Sequence, residues 1–323
     1  MTALARTGQD GVKIAVLFAV CAAACLVFIL PGLDAENYAF FLGQRVPKVA
    51  AIVITGCAIA FSSVLFQTVT NNRILTPATL GFDALYLLIQ TSIIFVFSAG
   101  NILARDKNVN FVFSAGLMVA MAMVLFRVMM RRSNTNLIYL ILVGTIFGQL
   151  FRTLSYFLLM VISPSEFVSL QNRMFASFGN INTGIVIIAA AVCAAVVPFV
   201  FRDMPKFDVV ALGREPAISL GVDHEKLVRK TFVIAAVLIS VATALVGPIA
   251  FLGLLVANLA RQMAASYRHS VVVLMAMLIS SILLLTGQFI VERFLNFDTT
   301  VTVIINFAGG LYFIWLLLKE SRL

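Results

Sequence analysis

Apolar runs of roughly 17 to 25 residues follow one another along almost the whole chain, separated by short charged or Gly/Pro-containing segments. A helical run of that length matches the hydrocarbon thickness of a bilayer, and helices satisfy their own backbone groups there. The chain is therefore expected to be an all-α, polytopic membrane protein. Hydrophobic residues are 62% of 323 and charged residues 11%, with a mean hydropathy of +1.06, which excludes an ordinary soluble globular fold.

Splitting the runs at charges and Gly/Pro clusters predicts about ten spans, near 12-30, 48-68, 79-98, 110-128, 137-161, 183-201, 231-247, 248-260, 271-291 and 301-318. They form one transmembrane domain, 1-323, with a long charged loop at about 202-230. The run from Ile14 to Leu30 is too long for a signal-peptide core and is expected to be a retained first span. The net charge of +9 comes from basic residues dispersed between runs, a pattern of membrane topology rather than nucleic-acid binding. With the N-terminus inside, sixteen Lys/Arg fall on the cytoplasmic side and six outside: Arg45, Lys48, Arg105, Lys107, Arg173 and Arg293. Arg152 is left within a span, and both termini are expected in the cytoplasm. Cys21, Cys25, Cys57 and Cys193 all lie in apolar runs and are expected to pack as small hydrophobes.

The loop contains Gly213 to Val222, G-R-E-P-A-I-S-L-G-V. Pro216 suits a first helical turn, Gly221 a helix stop, and Asp223 the cap of a second helix from His224. Two short helices with a tight corner are expected, and a helix of about seven residues needs tertiary contacts or a partner to persist. The segment is expected to be a docking knuckle.

Arg45-Val46-Pro47-Lys48 opens the second span, with Pro47 as a helix-starting proline between interfacial cations. Gly56, Ala58, Ala60, Ser62 and Ser63 allow close helix approach, and Gln67 ends the span. The polar turn Asn71 to Pro77 must be buried in protein or lie at the cytoplasmic surface. Arg152 is costly in lipid, so it either lines a path for an anionic substrate or makes structural hydrogen bonds. Acidic residues are missing from mid-span positions, with Asp83 near the start of the third span, and His224 and His269 are expected in cytoplasmic loops. Ion-coupled transport is disfavoured on that ground. Gly247-Pro248 predicts a sharp break near the outer face, with a return to Arg261 inside and Arg293 outside.

The sequence has no G-x-x-x-x-G-K-[ST] and no metal-ligand cluster, nucleophile elbow or paired carboxylate. Catalysis by the chain itself is not expected, no cofactor is expected, and energy must enter through a partner.

Four stretches in order then resemble the FecCD-type permeases of iron-siderophore, haem and cobalamin ABC importers. Arg45 to Lys48 is similar to the family's R-L-P-R, and Gln67 with Pro77 and Leu80-Gly81 to Q-x4-N-P-L-A-x-P-x-x-L-G. Gly213 to Val222 resembles G-E-x-x-A-x-x-L-G-V, and Gly247 to Arg261 resembles G-x-I-x-F-V-G-L-x-x-P-H-x-x-R. The chain departs at Asn72-Arg73-Ile74-Leu75 and at Asn258-Leu259, a variant similar to the catecholate branch serving petrobactin or vibriobactin.

The resemblance implies a type II ABC importer permease fold and a ferric siderophore as substrate. It implies two permease subunits, this chain with itself or a paralogue, two ABC ATPase subunits below, and a periplasmic or lipid-anchored substrate-binding protein above. Gly213, Arg214, Glu215, Ala217, Leu220 and Gly221 would couple to the ATPase, and Arg45, Lys48 and Arg293 would dock the binding protein. Arg152 and Gln67 are the expected translocation-path residues. A haem or cobalamin permease of the same fold, an ion-coupled carrier and a non-transport scaffold are the rival expectations.

Overall fold

The computed structural model describes residues 3–32, 37–98, 100–131, 137–175, 177–179 and 181–320. Arg132 and Arg322 of the expected cytoplasmic set lie outside them. Among the described residues the chain forms fourteen α-helices and no strand. In order these are α1 (Ala3–Ile29), α2 (Tyr38–Val69), α3 (Phe82–Phe97), α4 (Ile102–Arg105), α5 (Lys107–Arg131), α6 (Leu137–Val161) and α7 (Pro164–Met174). There follow α8 (Thr183–Phe201), α9 (Met204–Val210), α10 (Arg214–Ser219), α11 (His224–Val246), α12 (Leu252–Met263), α13 (His269–Arg293) and α14 (Val301–Glu320). A 3-10 turn, Ala78–Leu80, precedes α3.

Each of the ten apolar runs becomes a helix. Seven, α1, α2, α5, α6, α8, α11 and α13, are long and apolar enough to cross a bilayer, and α3 and α14 are shorter apolar helices. The α4, α7, α9 and α10 helices are connections.

Helix α2 is the spine. From Val49 to Val69 its side chains are mostly buried, packed against α13, α11, α12 and α8. Its small residues permit this: a Cβ on Gly56 would meet Ser280 Oγ at 3.0 Å and the Ser281 backbone N at 3.2 Å. The second span starts at Tyr38, so Pro47 lies inside α2 rather than opening it. The apolar stretch Tyr38 to Leu42 extends the helix upstream of Arg45, and proline is tolerated in such a helix where neighbouring groups take over the freed carbonyls.

Two contacts between α2 and the antiparallel α13 calibrate depth. Lys48 Nζ pairs with Glu292 Oε1 at 2.8 Å near one end, and Thr68 Oγ1 lies 2.9 Å from His269 Nε2 at the other. Those twenty residues of α2 rise about 30 Å, one hydrocarbon thickness. The chain does break at Gly247, which takes φ +103°, with residues 247–251 non-helical before α12. The break itself lies toward the Lys48 end: Val246 O accepts from Ser177 N at 2.9 Å, and Val246 lines a cavity with Lys107, Arg173 and Asn182. Past it the chain dips inward, and Gly253 is pressed on Ser63 and Ile59, roughly 17 to 23 Å along α2 from Lys48. Helix α11 overhangs the Thr68 end: Phe232 meets Phe66 edge-on with centroids 5.2 Å apart, so His224 lies about two turns beyond. The fourteen residues from Phe232 to Val246 rise about 21 Å of the roughly 27 Å that separate Phe66 from Lys48, so α11 still ends near the Lys48 level.

The segment after α2 also re-enters. Thr76, Ala78 and Asp83 surround one small cavity with Ser63, Thr243 and Gly253, so α3 starts at half-depth and Asp83 stands in the membrane interior. The expectation that mid-span carboxylates are missing is thereby corrected. His224 and His269 are likewise not in loops: they are the first residues of α11 and α13, and both are buried.

The first and last helices reach the same face. Asp10 Oδ1 accepts a hydrogen bond from Ala265 N at 2.8 Å, Lys13 Nζ donates to Met263 O at 2.7 Å, and Gln262 Nε2 donates to Tyr312 Oη at 2.8 Å. That is the Thr68 face, which also carries α9 and α10.

Candidate functional site: knuckle, rim and interior

The knuckle is built by backbone stops. Gly213, at φ +111°, turns the chain into α10, a single six-residue helix. At the far end Gly221 takes φ +81°, Val222 N donates to Ala217 O at 3.0 Å and Gly221 N to Ile218 O at 2.9 Å. Those are the two bonds of a Schellman stop, where glycine avoids the left-handed Cβ penalty. Asp223 then caps α11 by accepting from Lys226 N at 3.0 Å. The second helix is not short, since α11 continues into the bilayer; the short pair is α9 and α10.

Of the six residues expected to couple, Ala217 is fully buried and anchors α10 to the body. Glu215 and Leu220 face outward, Leu220 at 64% exposure beside Ile218 at 49% and Leu212 at 65%. Arg214 reaches Glu225 Oε1 at 3.9 Å. The knuckle therefore presents one carboxylate amid three aliphatic side chains, while Gly213 and Gly221 shape it.

What holds the knuckle to the bundle was not legible in the sequence. Asp203 accepts from Lys206 Nζ at 2.6 Å and Lys230 Nζ at 2.5 Å, and Lys230 Nζ also donates to Phe199 O at 2.9 Å, tying the end of α8 to the start of α11. Burial raises the Asp203 pKa, but the hydrogen bonds and charges of Lys206 and Lys230 outweigh it and hold the carboxyl below its ordinary range. Asp208 on α9 accepts from the His269 backbone N at 2.6 Å and lies 2.7 Å from its Nδ1. Since His269 also reaches Thr68, α9, α13 and α2 are bolted together through one imidazole. The available signal was the weak cap position before α13, where Arg268 supplies no side-chain cap.

On the opposite face, Arg45 Nη1 donates to Ile29 O at 2.7 Å and Pro31 O at 2.6 Å, closing the end of α1. Lys48 is engaged with Glu292, which also accepts from Gln288 Nε2 at 2.8 Å. Arg293 is exposed. The three cations share a face, with two already committed to intramolecular partners.

In the interior, Gln67 is 2% exposed. Its Nε2 donates to Arg73 O at 2.8 Å and its Oε1 accepts from Arg261 Nη1 at 2.5 Å, locking the re-entrant segment to α12. Asn258, the departure from the family pattern, serves the same segment by donating Nδ2 to Arg73 O at 3.1 Å. A cavity of about 300 Å³ opens beside Gln67, Arg73 and Arg261 on the Thr68 face. Arg152 lies exposed on α6, one turn beyond Gly148, where α6 packs on Gly81. Arg152 and Gln67 therefore do not meet at one point.

A bundle of membrane-length helices with chain breaks within it, an exposed knuckle on one face and cations on the other is the architecture of a membrane transport permease. The chain belongs to the FecCD transport family, whose profile matches residues 7–319. It is 49% identical over 97% of its length to the petrobactin import system permease protein YclO of Bacillus subtilis, covering 99% of that protein. It is 33% identical over 90% of its length to the petrobactin import system permease protein FatC of Bacillus anthracis, covering 82% of it. Among solved structures, an inward-facing metal-chelate type ABC transporter superposes with a TM-score of 0.83 over 96% of this chain and 99% of that one, at 17% identity. That likeness speaks to the fold.

Proposed function

We propose that this chain is the permease subunit of an ATP-driven importer that carries a ferric siderophore of catecholate type across a bacterial plasma membrane. The observation that carries the reading is the 49% identity along 97% of the chain to a petrobactin import permease. The Thr68 face is the cytoplasmic one, with both termini on it, consistent with the excess of Lys/Arg there. An ABC ATPase receives α10, with Glu215, Ile218 and Leu220 at the contact. A substrate-binding protein docks on the opposite face at Arg293, with Arg45 and Lys48 contributing field rather than free side chains.

Transport proceeds by alternating access. Closure of the ATPase pair displaces α10, and the rigid ties at Asp203 and His269 pass that displacement to α8, α11, α13 and α2. A second permease, identical or paralogous, completes the path, along which Arg152 attracts the anionic chelate. The test is accumulation of radiolabelled iron in cells lacking this chain and complemented with it. Ferric catecholate uptake that returns on complementation supports the reading, and restoration of haem or cobalamin uptake instead would replace the substrate.

A further inference from the structure

The half-depth cavity between α2, the turn before α3 and the broken segment after α11 has room for about one water-sized occupant, with a free volume of 10 Å³. Its polar lining is made of oxygens. Asp83 supplies a carboxylate, and Ser63, Thr76 and Thr243 supply hydroxyls. Ser63 and Thr76 are each 1% exposed, and neither Ser63 Oγ nor Thr76 Oγ1 has a hydrogen-bond partner among the described residues. Ile249 and Ala250 line the same cavity, and their carbonyls accept no main-chain hydrogen bond from the described residues.

These features need one explanation. An unpartnered hydroxyl at membrane depth is costly, and two beside a carboxylate and an unwound backbone require an occupant. Among the described residues the lining holds no basic side chain. Asp83 forms no ion pair among the described residues. Ile239 and Thr243 are the α11 residues in the lining. A helix break that offers unpaired carbonyls inside a membrane suits a small desolvated cation.

We propose that this cavity binds a single sodium ion, held by Asp83, Ser63, Thr76 and Thr243 with carbonyl oxygens of the 249–250 segment. The ion clamps the two chain breaks to α2 and so fixes the half-depth corner around which α12 turns. This site is independent of the cargo.

The test uses the full chain purified in lipid nanodiscs, melted in sodium chloride or choline chloride at equal ionic strength. Sodium is expected to raise the melting temperature progressively, by about 3 °C at ten times its dissociation constant and further with the logarithm of concentration. Asp83→Asn is expected to abolish the rise, and Thr76→Val, which keeps the charge, to need at least tenfold more sodium for the same rise. Equal melting in the two salts, as an ordinary buried water would give, overturns the proposal. So does a Thr76→Val protein whose melting rises at the same sodium concentrations as wild type, a result that stays informative should Asp83→Asn fail to fold.

Discussion

Lys48 Nζ and Glu292 Oε1 meet at 2.8 Å across 244 residues of sequence, with side chains only 14% and 17% exposed. The ammonium also lies 5.9 Å from the Phe28 ring and 6.0 Å from the Phe297 ring, so it fastens α1, α2 and α13 at one face. Removing one partner strands the other charge in a place where water is scarce. Lys48→Met is expected to destabilise the purified permease by roughly 2 kcal/mol, and Lys48→Met with Glu292→Gln to recover much of that loss. Thermal melts of the two singles and the double make the cycle; strictly additive losses would show that the two residues do not interact.

The Asp203 cluster makes a pH prediction. Because its folded pKa is lowered, its contribution is complete above the unfolded value of about 3.9 and is lost as pH falls below that through the folded value. As pH falls below about 4, wild type is expected to lose thermal stability more steeply than Asp203→Asn, which should be less stable at pH 7. Parallel curves for the two proteins would remove this tie from the account.

Two glycines with left-handed backbones should respond differently to alanine. At Gly81, φ +92°, a Cβ would lie 2.6 Å from Gly148 Cα, a backbone atom of α6. At Gly221, φ +81°, a Cβ would meet nothing within 4 Å, so only the conformational penalty applies. Gly221→Ala is expected to cost about 1–2 kcal/mol and leave an assembled permease. Gly81→Ala is expected to exceed about 4 kcal/mol and reduce membrane levels, read by melting and by immunoblot.

Much of this was legible from the chain alone, for local reasons. Helix count follows from run lengths, and the Gly213, Gly221 and Gly247 stops follow from residues that tolerate positive φ. Relative level was not legible, because hydropathy marks position along the sequence rather than height in the bilayer. The re-entry before α3 therefore set Asp83 beside Ser63 and Thr243 in the bundle interior, and the chain after Gly247 dips inward before α12 begins. Long-range pairs such as Asp208 with His269 or Gln67 with Arg261 were equally hidden, and Gln67, expected on a path, has both amide atoms spent on packing.

The path proposal for Arg152 has its own test. Arg152→Gln is expected to lower the uptake rate of an anionic ferric chelate by about tenfold, the loss of one favourable charge contact, while leaving assembly and basal ATP hydrolysis unchanged. Unchanged uptake would make Arg152 a structural residue of α6.

The most direct test of the whole account is transport by the reconstituted complex of this chain with its second permease, ATPase and binding protein in proteoliposomes. Radiolabelled ferric catecholate uptake is measured with and without ATP, for wild type and for Glu215→Arg. Uptake that needs ATP, and that the charge reversal abolishes while the membrane complex persists, is the predicted result. Uptake that continues without ATP, or that is indifferent to Glu215→Arg, would contradict energy entering through α10.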